Sequence, residues 1–316
     1  MVKNLIIKLG ALGDIVMATS LIKQIQQHHE NDESFLLTTP GFANIFESWN
    51  KLNVVSFERK GPASFIKVLR WIRNKHFDRI YDLQSNDRTS IFCALSGAST
   101  IIGNHPRYPY NIHPVDKYTG QCHIYDRMLD VLLSAGLKPV HEIPCLPVSA
   151  KDRDYVKTWL RENHLSQKPL VILHAGASNK HSEKCWPYFE ELAVVLGNRG
   201  FTIIWAGGES EKEINKQLAL RVGLDASNLF SINQLAELGR YARFALTNDS
   251  GPMHALASSE IPVFSFFGPT NWRRNHAIGQ ADNVITLNRN DPFRPVSLDK
   301  ITVDMAISCL ESQGLI

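Results

Sequence analysis

Short apolar runs ending in Gly, Ser, Asp or Asn recur along the chain, and between them lie stretches with apolar residues at helical spacing. In the first half the runs predict strands at Leu5–Leu9, Phe35–Thr38, Val54–Phe57, Arg79–Leu83 and Thr100–Gly103. The periodic stretches predict helices at Ile15–His29, Gly41–Trp49, 59–79, Thr89–Leu95 and His123–Ala135. The second half repeats the alternation. Strands are expected at Leu170–Leu173, Phe201–Trp205, Leu229–Phe230, Phe244–Leu246 and Val263–Phe267. Helices are expected at Asp152–Leu165, Tyr188–Arg199, after Glu209 through Leu220, at Gln234–Tyr241 and over Met253–Ala257. Strand alternating with helix is the mark of parallel-sheet α/β domains. Gly136–Ala150, with Pro139, Pro144 and Pro147, has linker composition and sets a boundary near residue 148.

The most informative stretch is Leu246–Thr270. An apolar strand runs into Thr247-Asn248-Asp249-Ser250-Gly251, and Pro252 follows, where a first helical turn needs no N–H. Asp249 or Ser250 is suited to cap that helix. The next strand closes on Gly268-Pro269-Thr270. Free N–H groups and a helix dipole attract phosphate, and open parallel sheets bind ligands at such carboxyl ends. An ordinary strand-to-helix turn has the same outline. His254 suits either a core histidine or a hydrogen-bond donor to a phosphate.

Composition narrows the class. Apolar residues are 44% and charged residues 21% of 316, which suits a globular protein of about two domains. A net charge of +3 does not indicate a nucleic-acid binder but permits an anionic ligand. Five scattered cysteines without a CxxC pair fit a reducing compartment. No apolar run approaches a membrane span, and MVKNLIIKLGALGD reads as a buried strand and turn instead of a signal peptide, so a cytoplasmic location is expected. Residues 59–79 hold seven Lys or Arg and one acid, interleaved with Phe65, Ile66, Val68, Leu69, Trp71 and Ile72. Such a helix is either a solvated outer face or a surface for an anionic membrane or substrate.

Gly10-Ala11-Leu12-Gly13-Asp14 has G-x-x-G and lacks G-x-G-x-x-G, so a dinucleotide site is weakly supported. Asp14 can cap the helix that follows or accept a proton from a substrate hydroxyl. Gly176-Ala177-Ser178, Gly207-Gly208 and Ser250-Gly251 offer backbone donors to phosphate, with Lys184, Arg273 and Arg274 as cations. No P-loop, no nucleophile elbow and no acid-rich metal cluster occurs in the sequence.

KLGALGDIV, HAGAS with KCWP, AGGESE, and TNDSGPMHALAS followed by FFGPT resemble, in this order, the motifs of glycosyltransferase family 9. These are the bacterial ADP-heptose:lipopolysaccharide heptosyltransferases. The resemblance implies a GT-B fold, two Rossmann-like parallel-sheet domains facing a central cleft. Residues 1–148 would take the acceptor and 149–297 the nucleotide-sugar, while 298–316 would form a last helix, about Leu298–Ser312, packing back on the first domain. It implies an inverting transfer without metal or other cofactor. Asp14 matches the general base, Lys184 the lysine that neutralises the leaving diphosphate, and Glu209 the acid on the donor's ribose. Asp249, Ser250 and Gly251 match the turn holding diphosphate and sugar, with His254 on the same helix and Ser178 among the donor contacts. Gly13, Arg59, Lys60 and Gln84 fall at acceptor positions. Cys185 departs from the family pattern, which has a basic residue or His there. The expected partners are a nucleotide-sugar, ADP-heptose first, and a lipid-linked saccharide at the inner face of the inner membrane, with peripheral contact through the basic helix and no nucleic acid. Transfer from another nucleotide-sugar, epimerisation of the donor alone, and a non-catalytic binding protein on the same fold are the competing readings.

Overall fold

The computed structural model describes residues 1–59, 61–115, 122–138, 143–177 and 182–316. They form two compact units, Met1–Pro147 and Val148–Ile316.

The first unit contains β1 (Lys3–Ile7), α1 (Leu12–His28), β2 (Glu33–Thr38), α2 (Pro40–Ala43), β3 (Leu52–Ser56), α3 (Pro62–Lys75), β4 (Arg79–Asp82), α4 (Asp87–Ala94), β5 (Thr100–Ile102) and α5 (Ile124–Ser134). The strands make one parallel sheet in the order β3-β2-β1-β4-β5. Leu5 is level with Phe35 on one side and Ile80 on the other, and all three join Ile72, Phe77 and Phe92 in one core. The alternate residues Ile6 and Leu36 are just as buried, so both faces of the sheet are covered, as a parallel sheet requires. α3 is shorter than the expected 59–79. Gly61 and Pro62 start it, and His76 in the left-handed region, φ 51°, stops it. α1 starts earlier than expected, with Ala11 at the cap and no side-chain cap bond. Asp14 is therefore a residue of the first helical turn and not the cap.

The second unit contains α6 (Ala150–Glu162), β6 (Leu170–His174), α7 (Phe189–Asn198), β7 (Thr202–Gly207), α8 (Lys212–Ala219), β8 (Leu224–Ser227), α9 (Ile232–Gly239), β9 (Ala242–Asn248), α10 (Gly251–Ala257), β10 (Val263–Phe266), α11 (Trp272–Asn275), β11 (Val284–Ile285) and α12 (Val303–Ser312). Its six strands are parallel in the order β11-β10-β9-β6-β7-β8. The core joins Val171, Trp205, Phe244 and Phe266 to Leu192 and Leu196 of α7. Ser149 and Asp152 start α6 with a reciprocal capping box.

One expectation needs correction here. The strand expected at Leu229–Phe230 lies at Leu224–Ser227, an edge strand with only Ala226 buried, so it shows no apolar run. Phe230 instead sets its ring edge-on to Trp159 at 5.0 Å. The short elements α11 and β11 had no counterpart among the expected helices and strands. The last helix was expected against the first domain. Its buried stripe, Ala306, Ile307 and Leu310, belongs to the core of the second unit, where Arg199 of the turn after α7 also pairs with Glu311 at 2.8 Å. α12 packs on α7 and β11.

Candidate functional site

In each sheet the chain reverses its direction of growth once, and the crevice at that point opens beyond the carboxyl ends of two strands. In the second unit the reversal lies between β6 and β9. Asn248, the last residue of β9, is fully buried and ties three segments together. Its Nδ2 donates to the carbonyls of Ala175, at 2.8 Å, and Gly176, at 3.0 Å, and its Oδ1 accepts from the Trp186 N–H at 2.9 Å. The loop after β6 and the entry to α7 are thereby fixed to the end of β9. The Trp186 ring stacks on Phe266 at 4.0 Å beneath them, and its indole N–H reaches the Ile301 carbonyl at 2.8 Å.

Asp249 follows. Its Oδ2 accepts from Lys184 Nζ and from Thr270 Oγ1, each at 2.7 Å. The single carboxylate thus joins the lysine of one loop to the threonine of the turn after β10. Ser250 holds the cap position of α10, yet its hydroxyl makes no capping bond and lies 3.4 Å from His174 Nδ1. His174 is buried. Burial holds its imidazole below the ordinary histidine range, against the opposing pull of the Glu211 carboxylate. His254 is buried within α10.

The acids after β7 divide sharply. Glu209 has 77% of its side chain exposed, with Asn228 donating to it and Lys212 at 3.7 Å. Glu211 is 7% exposed and accepts from the Gly208 N–H at 2.8 Å and from Ser210 Oγ at 2.5 Å. Its stem fills the space above two glycines. A Cβ on Gly176 would fall 2.2 Å from Glu211 Cγ, and one on Gly207 would fall 2.6 Å from Glu211 Cβ. Gly207 and Gly208 were expected as backbone N–H donors to phosphate. Gly207 makes room for Glu211, and the Gly208 N–H is engaged by it. A cavity of about 760 Å³ adjoins, lined by Ala175, Gly176, Cys185, Trp186, Glu211 and Ile214, among others. Arg273 lies over the Trp272 ring at 5.4 Å. Ser178 lies outside the described residues.

In the first unit the reversal lies between β1 and β4. Lys8, just past β1, is 2% exposed, with Nζ 3.4 Å from both Asp14 Oδ2 and the Leu83 carbonyl. Burial lowers the pKa of its ammonium, and the Asp14 carboxylate opposes that shift. Asp14 keeps 25% of its side chain exposed, so it is the reachable member of the pair. Gln84 Oε1 accepts from the Leu9 N–H at 2.9 Å, which ties the two strand ends together. Gly10 has φ 137°, and a Cβ there would meet the Phe42 ring at 2.8 Å, so this turn needs glycine. Beneath lies Asp82, fully buried. It accepts from the backbone N–H groups of Gln84, at 3.1 Å, and Ser85, at 2.9 Å, and from Tyr110 Oη at 2.6 Å. Burial raises its carboxyl pKa. Arg127 Nη2 donates to the Ser85 carbonyl at 3.0 Å. Gly13 sits beside Asp14 in α1, Arg59 is exposed, and Lys60 lies outside the described residues.

Sequence reasoning named Asp14, Lys184 and the turn at 249–251, and it missed Lys8, Asp82, Asn248, His174 and Glu211. Only Lys8 carries a visible signal, a lone cation inside the apolar run Leu5–Leu9. Among the described residues no group of three His, Cys, Asp or Glu side chains could hold a metal ion, and no helix is long and apolar enough to cross a membrane.

Comparison with known proteins adds three kinds of likeness. The family model described as Glycosyltransferase family 9 (heptosyltransferase) matches residues 65–297. The chain is 20% identical over 305 residues to the lipopolysaccharide core heptosyltransferase OpsX of Haemophilus influenzae, an alignment covering 89% of this chain and 83% of that one. Among solved structures, the glycosyl transferase family 9 protein from Veillonella parvula matches with a TM-score of 0.82 at 19% identity, over 98% of this chain and 96% of that one. The E. coli heptosyltransferase WaaC with ADP matches with a TM-score of 0.74 at 18% identity, over 98% of this chain and 99% of that one. The structural likenesses show the fold, two parallel-sheet α/β domains of the GT-B class.

Proposed function

Because the chain belongs to glycosyltransferase family 9, the heptosyltransferases, we propose that it is an inverting, metal-independent transferase that moves heptose from ADP-heptose to a lipopolysaccharide inner-core acceptor. The observation that carries this reading is the ionic turn at the β9–α10 junction. Lys184 is held 2.7 Å from Asp249, beside a Ser250 hydroxyl that the helix does not use as a cap. When a diphosphate arrives, Lys184 supplies the charge, and the Ser250 and Gly251 region supplies polar contacts. The acid on the ribose was assigned to Glu209. The buried Glu211 lines the adjoining cavity, while Glu209 stays in solvent, so the two exchange priority for that role.

Asp14 acts as general base in this reading. Its exposed carboxylate takes the proton of the acceptor hydroxyl as that oxygen attacks the anomeric carbon. The ADP leaves from the opposite face, which inverts the centre. Lys8 Nζ stands 3.4 Å from that carboxylate in the resting state. The acceptor is lipid-linked, and the protein meets it at the inner face of an anionic membrane.

The test is calorimetric titration with ADP, UDP, GDP and NAD without added metal. ADP binding should weaken about 10–100-fold in Lys184→Ala, the loss of one charge-assisted contact of about 1.5–3 kcal/mol. Preference for UDP keeps the transferase and replaces the sugar. Binding of NAD alone, or of no nucleotide, rejects the proposal.

A further inference from the structure

Several exposed apolar side chains of the first unit stand on α3, at the end of α4 and in the loop after β5. Ile66, Ile91, Leu95, Tyr108 and Val115 are each between 45% and 94% exposed. Ile91 and Leu95 lie four residues apart, and therefore on one face, at the end of α4. Tyr108 Oη donates to the Ala94 carbonyl at 3.3 Å, which lays that tyrosine against the same helix end. Arg88, one turn before Ile91, lies over Phe65 of α3 at 5.4 Å and over Phe92 at 5.6 Å, so α4 and α3 share a surface.

On α3 the exposed positions include Ile66, Lys67, Arg70 and Arg73, which lie along one helical stripe. The helix carries no acid at all, and α4 carries only Asp87 at its first residue. Among the described residues Lys67, Arg70 and Arg73 pair with no carboxylate. Unpaired cations beside protruding aliphatic and tyrosine side chains are the composition of an interfacial surface. The cations match anionic headgroups, and the apolar tips match the upper acyl region.

We infer that the face built from α3, the end of α4 and the loop bearing Tyr108 docks on an anionic lipid bilayer. Lys67, Arg70 and Arg73 lie at the headgroup phosphates, and Ile91, Leu95 and Tyr108 enter the acyl boundary. The inference rests on the reading that the acceptor is lipid-linked. It adds the surface, and it assigns insertion to α4 and its neighbouring loop, not to the basic helix.

The experiment is co-sedimentation of the full chain with vesicles of phosphatidylglycerol and phosphatidylcholine, against phosphatidylcholine alone. Binding should require phosphatidylglycerol and weaken with salt. The variant Lys67→Ser/Arg70→Ser/Arg73→Ser should bind about 100-fold less, at about fivefold per cation. Ile91→Asn/Leu95→Asn should bind at least tenfold less and keep the salt dependence of the wild type. These are surface positions, and a thermal melt checks that each variant is folded. Unchanged binding in either variant overturns the inference, as does equal binding to neutral vesicles. A dimer without vesicles that Ile91→Asn/Leu95→Asn dissolves overturns it too, because the face then belongs to a second copy. ADP titration of the same proteins separates the two claims. Loss of ADP binding in the wild type sinks the transferase reading, and the vesicle result is read by itself.

Discussion

Replacing Asn248 by alanine should destabilise the second unit far more than the size of the side chain suggests. The side chain is buried and makes three hydrogen bonds, to the Trp186 N–H and to the Ala175 and Gly176 carbonyls. Each buried group left without a partner costs about 1–3 kcal/mol. The backbone can relax around some of them, so the expected loss is about 3–5 kcal/mol, a large part of the roughly 5–15 kcal/mol that holds a domain. Asn248→Asp separates bonding from volume. Its carboxylate still accepts from Trp186, but it turns a second oxygen toward two carbonyl oxygens. It should lose as much as Asn248→Ala at pH 8 and recover part of the loss at pH 5, where a protonated carboxyl donates once. The assay is urea unfolding followed by tryptophan fluorescence, with Trp186 and Trp205 reporting the second unit and Trp49 and Trp71 the first. The second-unit transition should move to lower urea while the first stays in place. A shift under about 1 kcal/mol for Asn248→Ala would refute the view that this residue fixes the loop after β6.

Three further outcomes are expected. Asp14→Asn should lower turnover about 10²–10⁴-fold while leaving ADP binding unchanged, which calorimetry and a transfer assay check together. Gly176→Ala should destabilise the second unit because its Cβ falls 2.2 Å from Glu211 Cγ, and adding Glu211→Ala should restore much of the loss in the same urea assay. Burial, Arg79 and His28 hold His29 down at about 4 from 6.5, so between those pH values the unfolded chain binds a proton that the folded chain refuses. Stability should therefore fall as pH drops through that window, and the fall from pH 7 to pH 5 should be smaller in His29→Gln.

Fold class was readable because both halves repeat an apolar run and an amphipathic stretch, and burial on both faces of a parallel sheet leaves little ambiguity about such runs. β8 escaped because an edge strand needs only one buried side chain, Ala226, and LDAS has no pattern to show. The site was readable where chemistry and chain position coincide, as in Asp249-Ser250-Gly251 after β9. It was not readable where a side chain acts across the sequence. Asn248 bonds to residues 62 to 73 positions away, and Glu211 matters through the space left by Gly176. The Gly207-Gly208 pair looked like an N–H donor to phosphate, because a glycine that leaves room for a side chain and one that frees an N–H look the same in a sequence. The packing partner of the last helix was not readable for a related reason. An apolar stripe shows that a helix is buried, but not against which partner.

The position of α12 also bears on the order in which the protein takes shape during synthesis. Domains fold as units, the earlier one first. All residues of the first unit have been made by Pro147. The second sheet, by contrast, leaves part of its core open until Ile307 and Leu310 exist. At about 5–20 residues per second, the roughly 160 residues between those points take about 8–30 s. For that interval the first unit is a finished body on a tethered chain. The second completes its core only when its final helix has emerged.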